Sequence, residues 1–117
     1  MNDTVSRNHE QRRASRKRVE VHHPVVDVIR DQPLGRPGDL SVNGMLLIGL
    51  LAPNLGAIYQ VRLTLPEPDG HENAIEVGIQ AQWCEPAPQT GQVWAGYRII
   101  AMAAPDAARL DHWLRRN

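Results

Sequence analysis

Ile75-Glu76-Val77-Gly78-Ile79-Gln80-Ala81-Gln82-Trp83 places an apolar residue at every second position across nine residues. A period of two belongs to a β-strand with one buried face, so Ile75, Val77, Ile79, Ala81 and Trp83 are expected to point inward. The same period precedes it, with Tyr59, Val61, Leu63 and Leu65 alternating with Ile58, Gln60, Arg62 and Thr64. Between the two runs lies Pro66-Glu67-Pro68-Asp69-Gly70, whose Asp-Gly pair favours a hairpin turn. Further out, Gly44 to Leu51 reads as a buried strand ended by Ala52-Pro53-Asn54-Leu55-Gly56, and Val93 to Ile100 as a last strand after a loop from Glu85 to Gly91. Gly96 in that last strand marks a bulge or a close approach. A β-branched run around Pro24, from Val19 through Ile29, predicts a strand over 19–30. Gln32-Pro33-Leu34-Gly35-Arg36-Pro37-Gly38 has the composition of a turn. Six short strands with turn signals between them indicate an antiparallel barrel or sandwich, and closure into a barrel would remove exposed edges.

The period changes at the C-terminus. From Pro105, a suitable residue for a first helical turn, Ala107, Leu110, Trp113 and Leu114 fall on one face of a helix, expected to cap one end of the β-structure. The organisation expected is a basic, flexible arm over 1–18, a β-barrel over 19–103 and a helix over 104–117.

With 117 residues the chain is one domain's worth. Cys84 is alone, so a disulfide within the chain and a cysteine-based zinc site are both excluded, and a reduced, half-buried thiol is expected. The first 18 residues lack the apolar stretch of a secretory signal, and the longest apolar run, Gly44 to Ala52, is far short of the roughly 20 residues that span a bilayer. A soluble cytoplasmic protein without membrane insertion is the expectation. The net charge of zero conceals an asymmetry: residues 1–18 hold six basic and two acidic residues, the remainder seven basic and eleven acidic. A basic arm on an acidic body suits an anionic partner, although such a tail can also serve solubility alone.

Two motifs carry chemistry. Arg12-Arg13-Ala14-Ser15-Arg16 sets three guanidiniums on the arm. Arginine donates paired hydrogen bonds to phosphate or to guanine O6 and N7, and its plane stacks on a base. Asp39-Leu40-Ser41-Val42-Asn43-Gly44 supplies a carboxylate that could accept from guanine N1 and N2, a hydroxyl, and a glycine that permits a sharp turn or close approach. Alone, this second run is equally an ordinary turn, since Asp, Ser, Asn and Gly are turn residues. His22 and His23 point to opposite faces of a strand and cannot chelate one metal together, and His9, His71 and His112 are scattered. No P-loop, dinucleotide fingerprint or nucleophile elbow is present, so neither catalysis nor a cofactor is expected.

Taken jointly, Arg12-x-x-x-Arg16, a following strand and Asp39-x-Ser41-x-x-Gly44 resemble the signature of the PilZ domain, a bacterial receptor for cyclic di-GMP. The likeness extends to a late strand ending in Trp83, a glycine-bearing strand at Gly96 and the terminal helix, covering about residues 10–115. Ile99 stands where the family commonly has an aromatic residue, and Lys17-Arg18 leave either Arg16 or Arg18 as the second clamp residue. The resemblance implies an all-β fold with a C-terminal helix, a six-stranded antiparallel β-barrel of the PilZ-like split type. It implies that Arg12 and Arg16 grip the phosphates and guanines of cyclic di-GMP, that Asp39 and Ser41 read one guanine, that Gly44 shapes the loop, and that Arg13 and Asn43 assist. It further implies that the ligand orders the arm and that a protein partner reads the result. Two other readings are a PilZ-like interaction module that binds no nucleotide and a small barrel that binds nucleic acid. The few aromatic residues, expected mostly inside, argue against the latter.

Overall fold

The computed structural model describes residues 17–18, 23–89 and 91–116. Seven strands, β1 (Lys17–Arg18), β2 (Val25–Asp27), β3 (Gln32–Leu40), β4 (Gly44–Gly49), β5 (Ile58–Pro66), β6 (Glu72–Pro86) and β7 (Val93–Met102), precede helix α1 (Ala104–Arg115). The sheet order β3-β2-β5-β6-β7-β4 is closed by the pairing of β4 back onto β3, and every pairing is antiparallel. The molecule is a six-stranded antiparallel β-barrel with one C-terminal helix. The two residues of β1 extend the track of β2 along β3. Among the described residues, no helix is long and apolar enough to cross a membrane.

Strand periodicity accounts for the core. Val61, Leu63 and Leu65 of β5 and Ile75, Val77, Ile79 and Ala81 of β6 are buried together with Leu40, Met45, Leu47, Ala95 and Tyr97 from the other strands. The β5–β6 hairpin turns at Gly70, at φ 93°, with Glu67 N–H donating to the His71 carbonyl. α1 buries Leu110, Trp113 and Leu114 on one face, as its spacing predicts.

Four expectations need correction. The buried strand expected over Gly44 to Leu51 ends at Gly49, and Leu50 and Leu51 are exposed beyond it. Gln32–Gly38 is no turn but most of β3. Its prolines are accommodated because the ladder is irregular beside them, with register shifts between Val25 and Val26 opposite Pro33 and between Pro37 and Asp39. Gly35 takes a φ of 151°, and a Cβ there would lie 2.7 Å from the Ile48 carbonyl oxygen, so this glycine serves strand contact. The strand expected over 19–30 is, among the described residues, only Val25–Asp27; residues 19–22 lie outside them. The chain turns at 28–31 because the Asp27 carboxylate accepts from the Ile29 and Arg30 backbone N–H groups at 2.9 and 3.1 Å. Trp83, expected inside, is 41% exposed. A register shift between Ala81 and Trp83 inserts one residue and turns the indole to the outer face.

Candidate functional site

Cross-strand register converts the scattered motif residues into a surface. Leu40, Met45, Tyr97 and Ala81 sit opposite one another on β3, β4, β7 and β6, and all four are buried. The adjacent row, Asp39, Leu46, Gly96 and Trp83, therefore faces out. At about 4.8 Å per strand this row spans roughly 14 Å from Asp39 to Trp83. The indole lies over Gly96: a Cβ on Gly96 would come within 2.2 Å of Trp83 Nε1. The close approach expected at Gly96 is thus an aromatic ring resting on bare backbone.

The Asp-x-Ser-x-x-Gly run closes the β3–β4 turn beside this row. Ser41 is fully buried, and its hydroxyl oxygen accepts from the Asn43 and Gly44 backbone N–H groups, both at 3.2 Å. Its own N–H donates to the Gly44 carbonyl at 2.9 Å, and its O–H lies 3.4 Å from the same oxygen. The serine organises the turn from within. Gly44 is buried against β7, where a Cβ would fall 2.5 Å from the Tyr97 carbonyl oxygen. Asn43 is exposed, while its carbonyl accepts from Ile99 N–H at 2.8 Å. Asp39 is partly exposed on the outer row. Of the predicted site residues, Asp39, Ser41, Asn43 and Gly44 are gathered at one corner; Arg12, Arg13 and Arg16 lie outside the described residues.

The link between the two motifs is visible in the backbone. β1 pairs with the end of β3, Lys17 opposite Leu40 and Arg18 opposite Asp39. The chain immediately following Arg16 therefore runs alongside the Asp39 corner.

Sequence reasoning missed three members of this face. Strict alternation puts Trp83 inside because it cannot register an inserted residue. Leu46 lies within a continuous apolar run that has no period to reveal which side chains face out. Arg98, opposite Gly44 on β7, is exposed on the same face and donates to Gln80 Oε1 at 3.3 Å. The face thus offers a carboxylate, an apolar and aromatic floor, and a guanidinium. Among the described residues no three His, Cys, Asp or Glu side chains gather as a metal site would require.

No family model matches the sequence, and no curated protein matches it. Among solved structures the chain is similar to the Bacillus subtilis inhibitor of motility MotI/DgrA, with a TM-score of 0.72 and 17% identity. The match covers 88% of this chain and 49% of that one, so the chain spans about half the length of MotI/DgrA. At this identity the likeness concerns architecture, and the architecture is the PilZ-like barrel.

Proposed function

We propose that this protein is a cyclic di-GMP receptor of the PilZ type, acting by binding and not by catalysis. The observation that carries the reading is the backbone pairing of Lys17–Arg18 with Leu40–Asp39, which seats the chain after Arg16 beside the Asp-x-Ser-x-x-Gly corner. On this reading Arg12 and Arg16, with Arg13 assisting, hold the phosphates and guanine edges. Asp39 accepts from a guanine Watson–Crick edge, and Asn43 lies at the rim. Ser41 and Gly44 act by shaping the turn that presents Asp39, which their burial supports. The outer row adds Leu46 and Trp83 as a floor for a purine, and Arg98 as a second source of positive charge.

Neutralising the clustered arginines with two phosphates would favour one arrangement of the arm over many, and the altered surface would be read by a protein partner in the cytoplasm. Calorimetric titration with cyclic di-GMP tests this. Binding near the micromolar range, about −8 kcal/mol, is expected after the cost of ordering the arm. The double variant Arg12→Ala/Arg16→Ala should lose measurable binding with an almost unchanged melting temperature. Undiminished affinity in that variant would remove the clamp assignment. A wild-type protein that gives no heat would leave the nucleotide-free interaction module as the correct reading.

A further inference from the structure

The barrel end opposite α1 opens into a cavity of about 960 Å³, bounded by the 28–31 turn, the loop between β4 and β5 and the loop between β6 and β7. That size falls within the usual range for small-molecule sites, and barrel mouths are a common place for them. Its deeper wall is apolar and aromatic: Leu34 and Tyr59 pack on the core, and Tyr59 meets Tyr97 edge-on with ring centroids 6.1 Å apart. The wall continues outward over side chains that folding leaves uncovered. Leu51 is 81% exposed, Leu50 75% and Ile58 62%. Large aliphatic groups held this far into water at the lip of a cavity are surface that a bound apolar group would cover.

One charged group at the same mouth has no partner among the described residues. The Arg36 guanidinium, exposed on β3, makes no hydrogen bond or ion pair among the described residues. By contrast, the Asp27 carboxylate at this end is already engaged by Arg30 at 3.0 Å, so the mouth offers a ligand positive charge and no free negative charge from that aspartate.

We propose that this mouth binds a single-chain amphipathic carboxylate. Its apolar chain would lie among Leu34, Leu51, Ile58 and Tyr59, and its head would pair with the Arg36 guanidinium at the lip. The proposal does not depend on the nucleotide reading.

Decanoate and decanol, each below its aggregation limit, are the probes, followed by calorimetry and by backbone amide shifts of the full chain. Saturable one-to-one binding of decanoate is expected, with the largest shifts at Leu34, Tyr59 and Gln92. Arg36→Gln should weaken decanoate about tenfold or more, as loss of a charge-assisted hydrogen bond implies, and leave decanol unaffected. Leu51→Asp should weaken both probes. Both substitutions fall on exposed side chains, and unchanged melting temperatures would confirm intact folding. Absence of saturable binding, equal decanoate affinity in Arg36→Gln, or shifts centred on Asp39–Gly44 would each overturn the proposal.

Discussion

Asp27 illustrates how a single residue sets local geometry at the entrance to the barrel. Its side chain is 1% exposed, a position that disfavours a carboxylate unless it is fully partnered. Burial pushes its pKa up, but the backbone and side-chain bonds from Arg30 and the backbone bond from Ile29 outweigh it and hold the carboxyl below its ordinary 3.8. Arg30 in turn lies 6.0 Å from the Tyr59 ring centroid. Because the folded pKa is depressed, the stabilisation is complete above the unfolded value and disappears as pH falls through the folded one. Asp27→Asn is therefore expected to cost about 1–3 kcal/mol at neutral pH. The difference from wild type should shrink below about pH 4, as read from denaturant melts across pH. Tyr97 behaves oppositely: burial, with smaller contributions from Tyr59 and Cys84, pushes it up to about 12. Stability should thus decline as pH rises between about 10 and 12, and Tyr97→Phe should flatten that decline.

At the scale of elements, α1 is held less by intrinsic helix preference than by what it meets. Its N-cap is Ala103, with no capping side chain. Asp106 in the first turn compensates, accepting from the Glu76 backbone N–H of β6 at 3.2 Å and from Arg109 at 2.8 Å. At the other end Trp113 Nε1–H donates to the Pro66 carbonyl at 2.8 Å, and Arg116 pairs with Glu67. That Arg116 bond is the main cause holding the Glu67 carboxyl below its ordinary value. The helix is consequently fastened to the β5–β6 hairpin, at the end of the barrel away from the open mouth. Trp113→Phe keeps most of the packing and loses the hydrogen bond, so a cost of about 1 kcal/mol is expected. Trp113→Ala should cost about 3–5 kcal/mol. Near-equal losses in equilibrium unfolding would mean that the bond to Pro66 dominates over burial.

For the whole molecule, closure is the governing fact. The pairing of β4 with β7 joins residues as distant as Gly44 and Arg98, and β6 pairs with β5 over its first part, Glu72–Gln80, and with β7 over its last, Val77–Pro86. Such pairings require loop closure before they contribute, so refolding in milliseconds to seconds is expected by stopped-flow fluorescence. A microsecond phase carrying the full amplitude would contradict that topology argument. Closure also sets the two ends of the barrel apart. The Ser41–Gly44 turn and α1 occupy one end, the apolar cavity the other, and β3 connects them.

The amino-acid sequence determined β5, α1 and the Ile75–Ala81 stretch of β6 almost residue by residue, because each carries a period of 2 or 3.6 that one buried face imposes. It also marked the Asp39–Gly44 corner, whose turn chemistry is local. It could not disclose that Gln32–Gly38 is a strand. Glycine and proline signal a turn until two neighbouring strands supply bulges and a close backbone contact that suit them. Nor could it place Trp83, Leu46 and Arg98 on one face with Asp39, since register depends on inserted residues that only the paired strands reveal. Periodicity is a property of one segment; a surface assembled from four strands is a property of their alignment, and alignment is fixed only when the barrel closes.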